Sequence, residues 1–373
     1  MDVRELDFDL PSELIAQEPP AERSAARLLW LQRESGILSH GCVAALPDLL
    51  RSGDLIVVND TRVFPARLLG RRVPSGGAVE CLLVRRLSSE LPPIEIADTS
   101  ESSSIDIGST SETHPSVWEA LMHPGQKLQP GARAVFEGIH TIHGEVIERR
   151  FFGRRVIRLW TDDGTPIDTA VDAIGHVPLP PYIKRDDRPD DRDRYQTVFA
   201  RSRGSVAAPT AGLHFTPDML SRLSARGIEI AELTLHVGYG TFQPVRVDRV
   251  EDHRVEPEQY EIHAGTAEAV NRALAESRRV IAIGTTTTRT LEAVAQAHAG
   301  RLVAGRGSTD LVIYPGFEFR AISGLLTNFH LPRSSLLMLV SAFGGRDRVR
   351  SAYDTAVAER YRFYSYGDAM LIL

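Results

Sequence analysis

The chain has 373 residues, 42% of them hydrophobic and 25% charged, a balance that excludes a disordered, fibrous or lipid-embedded chain and leaves room for two domains or one enlarged by an insertion. A formal charge of −6 argues against a protein that coats nucleic acid by bulk electrostatics, where a strongly basic balance is the rule. Two cysteines, Cys42 and Cys81, with no CxxC pair, speak against a disulfide framework and against a zinc or iron–sulfur site, so no metal is expected.

The first residues, Met1-Asp2-Val3-Arg4-Glu5-Leu6-Asp7, are acidic where a secretory signal would be basic, and a cytoplasmic location is expected. No run approaches the ~18 apolar residues of a membrane span. The best candidate, 336–342, is too short and reads as a buried strand.

In chain order, Ser12 is placed to cap a short helix entered through Pro11. The turn-rich Glu18-Pro19-Pro20-Ala21-Glu22-Arg23-Ser24 leads into an apolar run at 28–31. Gly53-Asp54-Leu55-Ile56-Val57-Val58 predicts a buried strand ending at Asn59-Asp60-Thr61-Arg62. After Pro65 come short β-like runs at 66–69, 78–84, 118–121, 132–136 and 154–159, split by turns such as Pro124-Gly125 and Pro130-Gly131. These predict a small β-barrel. Between 88 and 116 a Ser/Glu/Thr-rich segment lacks the apolar residues to order itself and is expected to be a flexible loop. From about 165 the texture is mixed again, with strands expected at 228–235 and 280–283 and helices at 266–277 and 290–297. The architecture expected is therefore mixed α/β: a larger discontinuous domain from 1–65 and 159–373, interrupted by a small β-barrel domain at 66–158.

Four polar segments adjoin apolar strands, which is where ligands bind in α/β sheets. Val58-Asn59-Asp60-Thr61-Arg62 has a plain turn as its alternative. Ala207-Ala208-Pro209-Thr210-Ala211-Gly212-Leu213-His214-Phe215-Thr216-Pro217 offers close backbone approach and one imidazole, with Thr216 and Pro217 as a helix start; a hydrogen-bonded loop histidine is the alternative for His214. In Leu233-Thr234-Leu235-His236-Val237-Gly238-Tyr239-Gly240-Thr241-Phe242, alternation sets His236 on the face opposite Leu235 and Val237. Tyr239 there could stack on a base, or the glycines could relieve a tight corner. Ile283-Gly284-Thr285-Thr286-Thr287-Thr288-Arg289 lies between a strand and a helix, where free N–H groups and hydroxyls can hold carboxylate, phosphate or ribose oxygens. Phosphate-loop, dinucleotide, HExxH and GxSxG signatures are absent.

Taken in order, Phe8-Asp9-Leu10-Pro11, Arg23-Ser24-Ala25-Ala26-Arg27-Leu28-Leu29, Val58-Asn59-Asp60-Thr61-Arg62-Val63, Pro209-Thr210-Ala211-Gly212-Leu213-His214-Phe215, His236-Val237-Gly238-Tyr239-Gly240-Thr241-Phe242, Leu326-Thr327-Asn328-Phe329-His330-Leu331-Pro332 and Arg362-Phe363-Tyr364-Ser365-Tyr366-Gly367-Asp368 resemble the S-adenosylmethionine:tRNA ribosyltransferase-isomerase family of queuosine biosynthesis. The resemblance implies transfer of the ribosyl group of S-adenosylmethionine to 7-aminomethyl-7-deazaguanine in tRNA, with no separate cofactor, since S-adenosylmethionine is consumed as donor. It makes His214, His236 and Glu256 the acid–base candidates. Asn59, Asp60, Thr61, Arg62, Thr210, Gly212, Tyr239, Gly240, Thr241, Thr285, Thr286, Thr287, Asn328 and His330 become substrate-binding candidates. Arg67, Arg71, Arg72, Arg154 and Arg155 are the candidates for tRNA phosphates. A monomer without an obligate protein partner and without membrane attachment is expected. A non-catalytic RNA-binding protein and a methyltransferase are the competing readings, and release of adenine separates them.

Overall fold

The computed structural model describes residues 1–87, 115–151, 153–242 and 245–373. The Ser/Glu-rich loop expected at 88–116 therefore lies, apart from its last two residues, outside the described residues. The chain divides into two compact units, one formed by Met1–Val63 with Leu179–Leu373, the other by Phe64–Pro178.

The first unit begins with β1 (Arg27–Leu31), β2 (Leu38–Cys42), the short α1 (Leu46–Leu49), β3 (Leu55–Asn59) and β4 (Thr61–Val63). The second holds β5 (Arg67–Val73), β6 (Ala78–Leu87), β7 (Ser116–His123), β8 (Arg133–Phe136), β9 (Ile142–Arg149), β10 (Arg154–Thr161) and α2 (Ile167–Ile174). The chain then returns with α3 (Asp191–Arg194), β11 (Ser202–Ser205), α4 (Pro217–Ala225), β12 (Glu229–Leu235), β13 (Glu258–Ile262), α5 (Ala264–Ala275), β14 (Val280–Ile283), α6 (Thr285–Ala297), β15 (Gly305–Thr309), β16 (Gly324–Asn328), α7 (Ser335–Gly344), α8 (Arg346–Ala358) and β17 (Ala369–Ile372).

The first unit is built on a nine-stranded mixed sheet in the order β15-β13-β12-β3-β14-β16-β17-β1-β2. Its centre, β12, β3, β14 and β16, is parallel. All five residues of β3 are buried because both faces of the sheet are covered. Alternation along the strand sends Leu55 and Val57 into a core with Val270 of α5 and Leu291 of α6, and Ile56 and Val58 into a second core with Met219 and Leu223 of α4. Thr216 caps α4 through Met219 N, with Pro217 as first helical residue, as its sequence predicts.

Two local expectations fail. Residues 336–342 belong to helix α7, not to a strand. Ser334 accepts from Leu337 N and caps it, and the run is apolar on nearly every side because the helix lies in the core. Ser12 does not cap a helix either: it opens a single 3₁₀ turn, Ser12–Leu14, with Pro11 as the cap residue.

The second unit is a closed barrel, β10-β7-β6-β5-β8-β9. Leu68, Cys81, Leu83, Phe136, Ile157 and Leu159 are wholly buried in it. Where β5 crosses β8, a Cβ on Gly70 would stand 2.2 Å from the Val135 carbonyl oxygen, so only glycine permits that approach. The unit extends beyond the expected end at 158, to Pro178, because α2 packs on β9 and β10. The one barrel strand with no counterpart in the sequence reading is β9, whose alternation is diluted by His143, Gly144 and Glu145.

Candidate active site

The first unit carries a cavity of about 220 Å³ at the carboxyl ends of its central strands. Its wall is made by Thr210 and Ala211, by Val237 just past β12, by Gly284, Thr285 and Thr286 between β14 and α6, by Thr327, Asn328 and His330 at the end of β16, and by Tyr182 and Tyr364. A parallel sheet whose strands end together leaves a crevice there, since the loops diverge to opposite faces.

Helix α6 points its N-terminus at this cavity. Gly284, at φ +91°, makes the turn into the helix, and no side chain caps it. The Thr287 and Thr288 hydroxyls bond backwards to the Ile283 and Gly284 carbonyls at 2.8 and 3.1 Å. The first N–H groups are thus left facing the cavity without a side-chain cap, with the positive end of a helix dipole behind them.

Asn328 is 1% exposed. Its Nδ2 donates to the Tyr364 carbonyl at 3.1 Å and meets His214 Nε2 at 3.2 Å. The amide is oriented by the first bond, so His214 Nε2 is the acceptor in the second and the imidazole is neutral. Burial pulls His214 down from 6.5 to about 4, outweighing the nearby Asp368 carboxylate. Asn328 Oδ1 and Tyr364 Oη are buried with no hydrogen-bond partner among the described residues. Tyr364 holds φ at +73°, a conformation non-glycine residues rarely keep without a local reason. Its ring centroid lies 4.0 Å from that of Tyr182, whose hydroxyl meets Ser365 Oγ at 2.5 Å. His330 Nε2 meets Thr327 Oγ1 at 2.7 Å, and burial lowers its pKa to about 3.

Of the substrate-binding candidates, Thr210, Thr285, Thr286, Asn328 and His330 reach the wall. Asn59 stands one layer behind. Its Oδ1 accepts from Leu235 N and Thr61 N, and its Nδ2 donates to the Leu235 carbonyl and, at 3.4 Å, to Thr286 Oγ1. Asp60 accepts from Thr234 and Ser202, while Arg62 lies exposed on β4. Gly212 and Thr287 are buried behind the wall, and Tyr239, Gly240 and Thr241 belong to a separate 3₁₀ turn, Tyr239–Phe242.

The three acid–base candidates are not on the wall. His214 supports Asn328 from behind. His236 Nδ1 meets Thr61 Oγ1 at 2.9 Å, packed over Gly204, where a Cβ would fall 2.6 Å from the ring; it faces away from the cavity because the adjacent Val237 faces into it. Burial lowers its pKa despite Asp60 and Glu261. Glu256 is exposed.

Two features have no counterpart in the sequence reading. Tyr182 and Tyr364 form an aromatic wall from positions 182 residues apart, and although Tyr364 stands in the 362–368 motif, nothing local pairs the two rings. Glu258, buried on β13, pairs with Arg289 of α6 and accepts from Gly238 N at 3.0 Å, so a buried ion pair anchors the start of the Tyr239 turn. An acidic residue facing the core on an inner strand, between β15 and β12, was the signal that could have found it.

Among the phosphate candidates Arg155 is corrected. It is 2% exposed, and its guanidinium donates to the Leu128, Arg154 and Gly125 carbonyls at 2.7, 2.8 and 2.5 Å. It cannot reach a polyanion. Arg154 is largely buried against Glu119. Arg67 pairs with Glu80 and Arg71 with Glu137 at half-exposed and exposed positions, and Arg72 is partly buried.

Among the described residues, no group of three His, Cys, Asp or Glu side chains could hold a metal ion, and no helix is long and apolar enough to cross a membrane. The family model described as queuosine biosynthesis protein matches residues 3–372. The S-adenosylmethionine:tRNA ribosyltransferase-isomerases of Syntrophotalea carbinolica and Desulfitobacterium hafniense are 49% and 44% identical, each over the full length of both chains. A crystal structure of S-adenosylmethionine tRNA ribosyltransferase from Thermotoga maritima is similar at 33% identity and a TM-score of 0.52, covering 99% of this chain and 100% of that one. With the order of motifs, the presence of a closed barrel unit and a mixed-sheet unit, and this full-length likeness in agreement, the chain belongs to the S-adenosylmethionine:tRNA ribosyltransferase-isomerase family.

Proposed function

We propose that the protein transfers and isomerises the ribosyl group of S-adenosylmethionine onto 7-aminomethyl-7-deazaguanine at the wobble position of tRNA, yielding epoxyqueuosine-tRNA, adenine and methionine. The observation that carries this reading, beside family membership, is the cavity at the strand ends. It combines an uncapped helix N-terminus, an apolar floor of Ala207, Ala208, Ala211 and Leu336, and a pair of tyrosines. An amino acid carboxylate suits the helix terminus, a nucleoside suits the apolar floor, and a sulfonium suits an aromatic face.

The donor's positive sulfur acidifies the C5′ proton. A base removes it, adenine departs and takes up a proton, the aminomethyl nitrogen attacks the sugar and gives up a proton, and closure to the epoxide breaks the C5′–S bond and expels methionine. S-adenosylmethionine is consumed, and no separate cofactor takes part. His330 is the one imidazole on the wall among the described residues; its place rather than its basicity supports the assignment, since burial weakens it as a base. We assign it the base, with His214 as the residue that positions Asn328. Exposed barrel guanidiniums such as Arg71 meet tRNA phosphates, and the protein works in the cytoplasm alongside its tRNA.

The test is incubation of the purified protein with S-adenosylmethionine and tRNA bearing the deazaguanine, followed by chromatography for free adenine. Release of adenine with ribosyl incorporation into tRNA supports the reading, and His330→Ala is expected to lower the rate by roughly 10²–10⁴. Methylated tRNA with no adenine, or binding with no turnover at all, would overturn it.

A further inference from the structure

The two tyrosines of the cavity wall come from segments far apart in the chain, and a third segment, residues 14–17, joins them. On one side its main chain pairs with the residue before Tyr364: Phe363 N donates to the Leu14 carbonyl at 2.8 Å, and Ala16 N donates to the Phe363 carbonyl at 3.2 Å. On the other side the Gln17 side chain takes hold of the main chain at Tyr182. Its Nε2 donates to the Tyr182 carbonyl at 2.9 Å, and its Oε1 accepts from Lys184 N at 2.8 Å. A longer bond from Nε2 to the Ile15 carbonyl, at 3.3 Å, points the nitrogen the same way, so the amide has one orientation.

The Tyr182 segment needs such help. Residues 179–190 form neither helix nor strand, so no ladder of hydrogen bonds fixes them and their place depends on the groups that reach them. Gln17 supplies two bonds to the main chain, the Tyr182 hydroxyl meets Ser365 Oγ at 2.5 Å, and an ion pair of Arg185 with Asp191 secures the far end. So held, the Tyr182 ring lies with its centroid 4.0 Å from that of Tyr364, the planes 37° apart, and both residues line the cavity. A cation is attracted to an aromatic face only within about 6 Å of the ring centroid. A segment that drifted by a few ångströms would lose that attraction.

We infer that Gln17 is a positioning residue for the donor's sulfonium: by clasping the main chain on either side of Ile183 it holds the Tyr182 ring beside Tyr364, so that an aromatic surface stands where the charged sulfur is received. The inference rests on the proposed use of S-adenosylmethionine. It adds how the protein tells a sulfonium from the uncharged thioether that lacks one methyl group. The gain is preorganisation, since a surface already in place loses no binding energy to the ordering of a loop.

The experiment measures, by calorimetry on the full-length protein, the affinities for S-adenosylmethionine and for S-adenosylhomocysteine, the uncharged thioether. The wild type is expected to favour the charged ligand by roughly threefold to tenfold, and Gln17→Ala should bring the ratio of the two affinities towards one. Tyr182→Leu should lower the ratio as far, and adding Gln17→Ala to it should lower it no further, because the glutamine acts through the ring. A glutamine that serves the fold alone would weaken both ligands alike and leave the ratio where it was. That result, an additive loss in the double variant, or a wild type that binds both ligands equally would overturn the inference while sparing the proposed function. Absence of any S-adenosylmethionine binding to the wild type would overturn both. Should Gln17→Ala fail to fold, Gln17→Glu carries the same test, since it keeps the acceptor for Lys184 N and removes the donor to the Tyr182 carbonyl.

Discussion

The α/β unit and the barrel unit both bury polar side chains, but they do so to different ends. In the barrel, Arg155 donates to three carbonyls of its own unit, and Glu119, among Arg85, Arg150 and Arg154, has its charge answered within the same strands. Burial would raise the Glu119 pKa, yet the guanidiniums around it hold it below the usual carboxylate value. In the α/β unit, buried groups at the carboxyl ends of the strands stop short of self-sufficiency. Among the described residues Asn328 Oδ1 and Tyr364 Oη have no partner and no side chain caps α6, and two imidazoles are held neutral. Arg72 Nε is an unpartnered atom of the barrel too, so the difference lies in where the open groups gather: in the α/β unit several stand together at the strand ends.

Acid exposes the contrast most strongly. An unfolded histidine titrates near 6.5, whereas burial lowers His214 to about 4 and His330 to about 3 in the folded chain. Between pH 6.5 and those values the unfolded state binds more protons, so stability is complete above 6.5 and falls as the pH drops. The slope is about 1.4 kcal/mol per pH unit for each histidine, on the order of 5 kcal/mol together by pH 4.5. Glu119, whose folded pKa is depressed, contributes stability that is lost only as the pH falls below its ordinary value of 4.5. Calorimetric unfolding from pH 7 to 4.5 should therefore move the transition of the α/β unit first, and His330→Gln should make its slope shallower. Parallel movement of both units, or an unaltered slope in the variant, would break the comparison.

The same division explains what the amino-acid sequence discloses. Strand β3 is legible because a strand covered on both faces must be uniformly apolar, and Leu55-Ile56-Val57-Val58 is. Helix α7 is equally apolar for the same reason, which is why seven of its residues read as a strand: periodicity vanishes when every side is buried. The barrel strands are legible from their turns, except β9. At the site, Thr286, Asn328 and His330 follow strands and were recognisable by position. Tyr182, Tyr364 and the Glu258–Arg289 pair were not, because their meaning lies in partners distant in the chain. His214 and His236 carry the right chemistry for acid–base work, and only the direction of each side chain moves them behind the wall.

Substitution of Arg155 sharpens the comparison from the barrel side. Arg155→Ala leaves the Leu128 and Gly125 carbonyls without their donor and opens a cavity, at a cost of about 3 kcal/mol. The loss should appear as a lower melting transition of the barrel, measured by calorimetry. Its effect on tRNA affinity at fixed temperature, well below melting, should be nil, and so should its effect on the salt dependence of binding. A reduced salt slope with unaltered stability would mean that this guanidinium reaches phosphate after all.

Arg71 is the opposite case and gives the smallest effect on the fold. It pairs with Glu137 at the barrel surface, both side chains more than half exposed, and exposed ion pairs contribute little because water and salt screen them and both side chains lose rotamer freedom. Arg71→Ala should leave the melting transition where it is. If this side chain exchanges Glu137 for a phosphate when tRNA docks, the plot of log affinity against log salt should lose roughly one unit of slope. Adenine chemistry at saturating tRNA should be untouched, since the residue belongs to the barrel and not to the cavity wall. A slope equal to that of the wild type would place the polyanion elsewhere on the surface, and the proposed division between a barrel that carries RNA and an α/β unit that carries chemistry would have to be redrawn around other arginines.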